Sequence, residues 1–598
     1  MTTPRDSLIR PGLLLVAFGA LAGSMLELII RFASHRWLPW PRAALYFNPQ
    51  AAWLGPLANV LLLALPVLLV LAFSRRLGRE RSLRIIAFGC FTYAAFGPLL
   101  LMPRIHNAAL LVLAAGIGAN AARWVFAEPR RWKALGRATA VLAALCAALT
   151  IGWNGWLSLT ERRARAALPA PSSGRSILLV IFDTVRSSNL GSYGHRRPTS
   201  PVVDSLARAG VRFSTALSSA PWTLPSHVTM LTGRWQHEQS TSWTHGREGL
   251  YPTIAQLLAT RGYASGGFSA NTEYVSRHFG MHLGFGTFRD HIVSPWAMID
   301  ASAVTRFARG RLPQRLILRI PGRKTAAVVN RELLDWQEDL GGRPFFAMLN
   351  YYDAHAPYAP PAPFDMQFLT QEPPSRDAWP GPPFPPAVIE GLEAAYDGGI
   401  AYADHELGNL LRELDQRGVL DSAIVIMTSD HGEEFGEHGM IGHGHGLHYP
   451  AVHVPLIMTA PGMPAGVVVE QPVSLLDVPA TAMDLATRAP APVPGHTLAS
   501  LWQGDTAAPR SPALSEVRWQ KHVPGDAPLA HGDMASIVAG RFHLIRRGDG
   551  VVALYDRIND PSERNDLADD PRFQAQRDSL RAALSAAESL GTRRAIRR

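Results

Sequence analysis

The chain of 598 residues is too long for one ordinary domain, and its composition changes near residue 160 from mostly apolar to mixed. Its formal net charge of +10 does not indicate a nucleic-acid partner, because the sequence has no basic stripe with interleaved aromatic side chains. The only cysteines, Cys90 and Cys146, fall in the apolar part, which excludes a disulfide framework from the rest of the chain.

Five apolar stretches before residue 160 have the length of roughly 20 residues that a membrane helix needs. A cleavable signal peptide competes only for the first of them, and a re-entrant pair only for the third and fourth. We therefore predict a five-span transmembrane anchor over residues 1–160. The predicted spans cover about residues 12–30, 53–73, 85–102, 107–126 and 138–157.

Taken together, the loops before the first span and after the second and fourth contain more arginine and lysine than the two alternate loops. The positive-inside rule places these basic loops in the cytoplasm. With five crossings, everything after residue 160 lies on the extracytoplasmic side of the inner membrane, whereas an even number would reverse this. Transport through the spans is disfavoured, because Glu27 is the only acidic residue well inside a span and, next to Arg31, is expected to mark the membrane edge.

Residues 161–175 contain proline, serine and glycine and predict a linker. From Ser176, short apolar runs alternate with helical patterns, which predicts an α/β fold with a mostly parallel sheet covered by helices on both faces. The predicted catalytic domain covers 176–490 and is interrupted by a basic segment and a proline-rich loop. The predicted features are helices at 203–209, 253–261 and 392–417, a strand at 264–268, the basic segment at 306–323 and the loop at 356–386.

A small carboxy-terminal α+β subdomain is predicted over residues 491–598. Its short apolar runs are separated by glycine-containing turns, as in antiparallel strands. The predicted strands are at 537–538, 542–545 and 551–555, with a closing helix at 573–589.

Three strand-like runs of the catalytic domain end in polar residues with metal-binding side chains. Asp183 follows the first run, Asp353 and His355 the second, and Asp430 and His431 the third. Because the carboxyl ends of strands in an open α/β sheet meet at the ligand crevice, these groups are expected to form one metal centre. A lone aspartate after a strand more commonly caps a turn, so the prediction depends on the three runs together.

The segment around Thr223 is predicted to be a loop that enters a helix, since Pro225 is tolerated in a first helical turn. Free backbone N–H groups and the helix dipole favour an oxyanion there. A hydroxyl at this position beside a metal cation can become a nucleophile.

The chain resembles the sulfatase family of the alkaline phosphatase superfamily in three ordered motifs: FDTVR at 182–186, TLPSH at 223–227 and TSDHG at 428–432. The resemblance covers roughly residues 176–570. It implies an alkaline-phosphatase-like mixed sheet sandwiched by helices, and a nucleophile that is transiently esterified by sulfate or phosphate. It also implies one divalent metal ion, which is Zn, Mn, Ca or Mg.

The resemblance assigns roles by position in these motifs. The implied metal ligands are Asp183, Thr223, Asp430 and His431; the implied catalytic residues are Thr223, His227 and His355; and the implied substrate contacts are His355, His445 and Asn271. A second metal is possible at a dense group of histidines with Asp353 and His355, although a structural loop explains the group equally well. That group consists of His438, His443, His445 and His448.

Several positions depart from the sulfatase pattern. Thr223 stands where sulfatases have the Cys or Ser that becomes formylglycine, and threonine cannot give that aldehyde. His227 replaces an arginine, Thr184 replaces a second aspartate, and the lysines that hold sulfate are absent. In having threonine at the nucleophile position, the chain instead resembles membrane-bound phosphoethanolamine and phosphoglycerol transferases, many of which have five spans.

The leading hypothesis is a membrane-anchored, metal-dependent hydrolase or transferase that acts outside the cytoplasm on sulfate or phosphate esters of envelope lipids or glycans. Its expected partners are the lipid bilayer and such an ester, and no nucleic acid. A phosphoethanolamine- or phosphoglycerol-type transferase is one alternative. A non-catalytic binding module that retains the fold is the other.

Overall fold

The structure is a computed structural model, and it describes residues 6–36, 50–102, 105–171, 174–239, 241–243, 245–311, 323–370, 382–489, 492–520 and 523–590. It divides into two compact units. The first consists of Met1–Arg162 and His291–Arg323, and the second of Arg163–Asp290 and Lys324–Arg598. The segment His291–Arg323, which interrupts the predicted catalytic domain, thus belongs to the amino-terminal unit.

Helices occur in both units, and their bounds follow from the local sequence. In the described residues they are α1 (Asp6–Arg36), α2 (Ala51–Ala72), α3 (Ser74–Leu77), α4 (Arg79–Leu100), α5 (Asn107–Ala127), α6 (Pro129–Ala166), α7 (Pro201–Ala209), α8 (Thr223–Thr232), α9 (Ile254–Ala259), α10 (Pro295–Ala301), α11 (Ala303–Arg309), α12 (Ala326–Glu338), α13 (Pro386–Gln416), α14 (Tyr449–Val452), α15 (Val478–Thr487), α16 (Ala499–Trp502) and α17 (Gln574–Glu588).

Among the described residues, five helices of the first unit are long and apolar enough to cross a membrane: α1, α2, α4, α5 and α6. They correspond to the five predicted stretches. The last of them, α6, continues to Ala166 and therefore includes the first part of the segment predicted as a linker. Residues 161–166 contain only glutamate, arginine and alanine, which are strong helix formers, and the first helix breaker after them is Pro169.

The second unit is built around a mixed sheet. The described strands are β1 (Ile177–Phe182), β2 (Val211–Phe213), β3 (Ala216–Leu217), β4 (Ala264–Ser269), β5 (Thr287–Arg289), β6 (Phe345–Tyr351), β7 (Ile424–Thr428), β8 (Glu434–Phe435), β9 (Ile441–Gly442), β10 (His453–Val454), β11 (Leu456–Thr459), β12 (Val467–Val469), β13 (Val473–Ser474), β14 (Ala513–Val517), β15 (Met534–Ala539), β16 (Phe542–Arg546) and β17 (Val552–Asp556).

The central sheet, within the described ranges, has the order β12-β2-β11-β7-β1-β6-β4-β5. Strand β1 pairs in parallel with both β6 and β7, while β11 is antiparallel to its neighbours. The three strands predicted to end in polar residues are therefore adjacent, and Phe182 lies beside Tyr351. The predicted α/β class with a mixed sheet is confirmed.

The core of this unit explains why these strands are continuous apolar runs. Every residue of β1, β6 and β7 is buried, as expected for parallel strands covered on both faces. Helix α12 and the long helix α13 contribute Leu333 and Tyr396 to the same core. Burial of each large apolar side chain stabilises the fold by about 1.5–3 kcal/mol.

The carboxy-terminal part forms the antiparallel sheet β14-β15-β16-β17, against which α17 packs through Leu580 and Leu584. The predicted strands and closing helix are present with shifted bounds. Strand β14 was not predicted, because its sequence, Ala-Leu-Ser-Glu-Val, is short and has few β-branched or aromatic residues, although Ser511-Pro512 directly before it is a turn signal.

Two predicted irregular regions lie partly outside the described residues. The basic segment begins within α11, which ends at Arg309, and residues 312–322 are outside the described ranges. The same holds for residues 371–381 of the predicted proline-rich loop. Helix α10, which precedes the basic segment, and helix α11, within which it begins, were not foreseen.

Candidate active site

Asp183, Asp430 and His431, here called the triad, meet at the carboxyl ends of β1 and β7. Each offers one ligand atom, and these atoms lie within 4.8 Å of one another. All three side chains are fully buried. Strands β1 and β7 are adjacent and parallel, and this pairing brings together residues that are more than 240 positions apart.

The hydrogen bonds of the triad leave its inner atoms available to a cation. Among the described residues, Asp183 Oδ1 and Asp430 Oδ2 are buried without a hydrogen bond of normal geometry. His431 donates from Nδ1 to the Gly432 carbonyl at 3.0 Å, so its Nε2 has a lone pair that points inward. Two carboxylate oxygens and one imidazole nitrogen are suitable ligands for a divalent metal ion.

The electrostatics of the triad indicate unmet negative charge. Burial, and then the charge of Asp430, raises the pKa of Asp183 to about 8. Burial also raises the pKa of Asp430 to about 7 and lowers the pKa of His431. A bound cation would stabilise the charged carboxylates and the neutral imidazole, which is the protonation state that metal ligands need.

Thr223 is the first residue of α8, and Trp222 precedes it in extended conformation as the N-cap. The Thr223 hydroxyl is almost fully buried and lies 3.2 Å from His431 Nε2. The predicted nucleophile is therefore in direct contact with the triad. Its position in the first turn of a helix also gives it the backbone N–H environment that favours an oxyanion.

The turn after β1 is held in an uncommon conformation. Thr184 has a φ of 65°, in the left-handed region that β-branched residues rarely adopt. Such strain costs on the order of 1–3 kcal/mol and persists only where the surroundings fix it. Here it lets the Thr184 N–H donate to Asp430 Oδ1 at 3.1 Å, so the residue that replaces the family's second aspartate orients a triad carboxylate through its backbone.

Two asparagines hold Asp183 from the other side. Asn271 and Asn350 each donate from Nδ2 to Asp183 Oδ2 at 3.0 Å. Asn271, predicted as a substrate contact, thus contacts a triad carboxylate. Asn350 was missed, although a polar residue inside an otherwise apolar, buried strand was a detectable signal.

His227 lies beneath the triad and is fully buried. It donates from Nδ1 to the Thr223 carbonyl at 2.8 Å, and Asn350 approaches its Nε2 at 3.3 Å. Burial lowers the pKa of His227 to about 3, so the imidazole is neutral. These contacts are those of a residue that positions the nucleophile helix, and the predicted catalytic role of His227 stays a prediction.

His443, considered in the sequence only for a second metal, forms a pair with Glu433, which the sequence did not single out. The His443 ring lies 4.3 Å from the His431 ring, and its Nδ1 lies 2.9 Å from Oε1 of the buried Glu433. Burial raises the pKa of Glu433 to about 8. His355 stacks on Tyr352 and lies 5.1 Å from His443, ring centre to ring centre, so His443 contacts both His355 and a residue of the triad.

Two other predicted residues, His445 and Asp353, have contacts outside the triad. The charge of His445 partly offsets the raised pKa of Glu433. This histidine therefore lies near the His443–Glu433 pair. Asp353, considered for a second metal, accepts a hydrogen bond from the Ala326 N–H at the start of α12. Asp353 thus orders a helix terminus, which is the structural role that a lone aspartate commonly has.

Two stacked tryptophan side chains lie next to the segment that contains the nucleophile. The rings of Trp222 and Trp243 stack at 3.7 Å with an angle of 4° between their planes. Gly444, between the two histidines of the HGH sequence, packs against this pair: a Cβ there would lie 2.6 Å from Trp243 and 2.7 Å from Trp222. Only glycine fits, and this close approach fixes the loop that presents His443.

A second cluster, Glu434, His438 and His448, also has ligand atoms within 4.8 Å of one another. Glu434 Oε1 lies 2.7 Å from His438 Nδ1 and 3.5 Å from His448 Nδ1. The two imidazole rings stack at 3.4 Å with planes 11° apart. We call these three residues the histidine cluster.

A family model for sulfatases matches residues 175–488, which is more than half of the chain. The chain belongs to the sulfatase family. It is 24% identical over 450 residues to an uncharacterised sulfatase, YidJ, of Escherichia coli, a match that covers 68% of this chain and 86% of that protein. Steryl-sulfatase of Mus musculus is 26% identical over 548 residues, covering 70% of this chain and 84% of that protein.

Solved structures agree on the fold. A phosphonate monoester hydrolase of Agrobacterium radiobacter superimposes with a TM-score of 0.56 at 22% identity, covering 69% of this chain and 95% of that one. The family and these neighbours make the chain an ester hydrolase of the alkaline phosphatase superfamily. Enzymes of this kind use divalent metal ions, and the triad contains residues that can hold one.

Proposed function

We propose that this protein is a membrane-anchored, metal-dependent enzyme that uses Thr223 as its nucleophile on sulfate or phosphate esters of envelope lipids or glycans. The five long apolar helices support the anchor. The distribution of basic residues in their loops supports an extracytoplasmic position for the catalytic unit at the inner membrane.

One observation supports the catalytic proposal above the others. The Thr223 hydroxyl lies 3.2 Å from His431 Nε2, in a buried group where Asp183 Oδ1 makes no hydrogen bond among the described residues and Asp430 Oδ2 has only long imidazole contacts, of 3.4 and 3.5 Å. A buried carboxylate without a partner is costly, so such atoms indicate a ligand. A divalent ion held by Asp183, Asp430 and His431 would lower the pKa of the Thr223 hydroxyl and reduce the charge on the ester oxygens.

In the proposed first step, Thr223 Oγ1 attacks the phosphorus or sulfur of the ester. The Thr223 hydroxyl, whose pKa the bound cation would lower, first gives its proton to solvent. A bond then forms between Oγ1 and that atom, and the bond to the leaving oxygen breaks. His443 is placed to protonate the leaving oxygen: Glu433 holds its Nδ1, so Nε2 is the nitrogen that transfers the proton. In the second step, water or an alcohol attacks the phosphorus or sulfur atom of the threonine ester, and His443 takes the proton of the attacking hydroxyl. The bond between that atom and Thr223 Oγ1 breaks, which regenerates the nucleophile.

Thr223 favours phosphoryl transfer over sulfate removal. Sulfatases of the usual pattern need an aldehyde that threonine cannot form, while a threonine hydroxyl is itself a competent nucleophile for phosphorus. The sulfatase relatives nevertheless favour a sulfate ester. Both groups are therefore tested on the same protein, with a transferase distinguished from a hydrolase by adding an acceptor alcohol.

The deciding experiment is intact-mass analysis of the full-length protein in detergent, quenched with acid after exposure to p-nitrophenyl phosphate or p-nitrophenyl sulfate. Because the two transferred groups have nearly the same mass, the substrates are supplied separately. We expect an adduct on Thr223 with one of them. Thr223→Ala should give none, while Thr223→Ser, which keeps a hydroxyl, should retain part of the activity.

A Thr223→Ala protein with unchanged turnover would refute the nucleophile assignment. The binding-module alternative makes a different prediction, namely that the purified chain contains no divalent ion even after supplementation. Metal analysis of the wild type therefore separates an inactive fold from an enzyme assayed with the wrong substrate.

A further inference from the structure

The charged pair of the first long helix is not at an exposed edge. Glu27 and Arg31 are only 2% and 1% exposed, and they contact each other at 3.3 Å. Arg31 is among the largest fully buried side chains described. A buried pair of this kind needs partners for its remaining hydrogen-bonding capacity.

Those partners are the facing ends of α10 and α11. Glu27 accepts a hydrogen bond from the Ala303 N–H at 2.7 Å, where α11 begins. Arg31 donates to the Ala301 carbonyl at 3.2 Å, where α10 ends. The carboxylate thus lies at a helix amino terminus and the guanidinium at a helix carboxy terminus, which is the favourable order for both dipoles.

The contact between the Glu27–Arg31 pair and the α10–α11 junction does not lie at the end of the first candidate span, but some way before it. Glu27 is seven residues before Ser34, the end of the candidate span, which corresponds to about 10 Å along the helix. Gly97 in α4 makes room for the carboxylate, because a Cβ there would collide with Glu27 Oε1. Gly55 in α2 similarly faces the Ala301 carbonyl.

Apolar contacts continue along α11. Val304 and Phe307 pack on a cluster formed by α4 and α5. The Phe307 ring meets Phe96 edge-on at 5.5 Å. Ala303 packs with Leu101 at the end of α4. Helix α11 is therefore part of the packed helix bundle of this unit.

A helix break at this level has a specific cost. In hydrocarbon, each unpaired backbone N–H or C=O costs several kcal/mol, so irregular backbone is tolerated only where protein groups satisfy it. The junction Ala301–Ala303 is such a break, and Glu27 and Arg31 satisfy its two facing groups. Both charged side chains bind backbone groups of the same chain. A structural role therefore explains the buried ion pair, and a role in transport is not needed.

We propose that residues 291–311 form a re-entrant element in the outer leaflet of the bilayer, and that Glu27 and Arg31 are the clamp that holds it there. The exposed surface of residues 291–311 contacts lipid. This inference rests on the proposed membrane location, but not on the proposed chemistry at Thr223. It makes the catalytic chain bind the membrane at a second place besides its amino-terminal helices.

The first test measures docking in proteoliposomes of the full-length protein with Cys90 and Cys146 replaced by alanine. Ala303→Cys, 3% exposed, should react slowly with a membrane-impermeant maleimide. Adding Glu27→Ala should raise the labelling rate by at least about tenfold, because local opening governs access to a buried thiol. Glu80→Gln, which alters the exposed Glu80–Arg84 pair, is the matched control and should not change it.

A charge swap distinguishes the clamp from an ordinary ion pair. Glu27→Arg combined with Arg31→Glu restores opposite charges but places a guanidinium against the Ala303 N–H. We expect labelling as fast as in Glu27→Ala, whereas Glu27→Gln, which still accepts from that N–H, should lie between this and the wild type. A swapped protein that stays protected would overturn the clamp.

The second test measures lipid contact. A fluorophore on Cys at Ala308, which is exposed on α11, should be quenched by nitroxide-labelled lipids at least about twofold more than one at the exposed Ser585. Equal quenching at the two positions would sink the re-entrant assignment. Thr223→Ala in the same background should leave both readouts unchanged, so failure of this inference and failure of the proposed chemistry are distinguishable.

Discussion

The triad and the histidine cluster both combine carboxylates and imidazoles whose ligand atoms lie within 4.8 Å of one another, in the ratio two to one in the triad and one to two in the cluster, yet they differ in the state of their carboxylates. In the triad, Asp183 Oδ1 makes no hydrogen bond among the described residues, and Asp430 Oδ2 has only His431 Nε2 and His227 Nδ1 at 3.4 and 3.5 Å. In the histidine cluster, Glu434 Oε1 makes a hydrogen bond of 2.7 Å with His438 Nδ1, and His448 Nδ1 lies 3.5 Å away. Ligand type and distance are therefore insufficient to define a metal site.

The pKa directions express the same difference. In the triad, burial raises the pKa of both aspartates. Burial also acts on Glu434, but hydrogen bonds from His438 and His448 outweigh it and lower the pKa to about 2. The cluster supplies its own positive charge, and its parallel rings, 3.4 Å apart, do not let one ion lie in the plane of both. Unmet charge, rather than composition, marks the cation site.

The largest expected effect comes from removing one carboxylate charge from the triad and, separately, one from the histidine cluster. Asp430→Asn should remove most bound metal and lower kcat/KM by roughly 10³-fold, since a catalytic cation stabilises the transition state by several kcal/mol. Glu434→Gln should keep the wild-type metal content. Elemental analysis of both purified proteins, together with ester turnover, checks this, and metal loss in Glu434→Gln alone would reverse our assignment of the two groups.

The second effect is the pH dependence of the metal-free protein. Because the pKa values of Asp183 and Asp430 are raised to about 8 and about 7, the folded chain binds more protons than the unfolded chain above about pH 4. The metal-free protein should therefore lose stability as pH rises from about 4 to 8. Thermal unfolding with and without chelator should show a gap that widens over this range; a constant gap would contradict the buried, unmet charge.

The third effect concerns the histidine cluster. The lowered pKa of Glu434 stabilises the fold above about pH 4.5, and the raised pKa of His438 stabilises it below about pH 6.5. Between these values, Glu434→Gln should lower the free energy of unfolding by on the order of 3 kcal/mol, as the shift from 4.5 to about 2 implies. Denaturant titrations at pH 5.5 and pH 3 measure it; the effect should shrink at the lower pH.

The smallest effect tests the outer contacts of the triad. Asn350→Ala removes a hydrogen bond to Asp183 and should weaken metal affinity by about 10–100-fold while leaving the ligands in place. Asn330→Ala, another buried asparagine, which donates to the Glu406 carbonyl, is the control and should leave affinity unchanged. Equal affinities in the two variants would show that Asn350 only fills space.

The fold class and the meeting of Asp183, Asp430 and Thr223 were predictable, because a buried parallel sheet needs continuous apolar runs and brings their polar ends together. The pairing of Glu433 with His443 was not, since it depends on how the loop folds around Gly444 and two tryptophans. The environment of Glu27 was also inaccessible, because its partners at 301–303 are about 275 positions away. Local patterns do not contain such distances.

The segment 291–323 determines how a water-soluble form of the enzyme must be built. Removing only the amino-terminal helices would leave Val304 and Phe307 without the surface that covers them, and such a protein is expected to aggregate. Both flanks of the segment are near each other, since Lys324 Nζ bonds to the Arg289 carbonyl at 2.9 Å. A bridge of about three to five glycine and serine residues should therefore replace the segment and give a detergent-free catalytic domain.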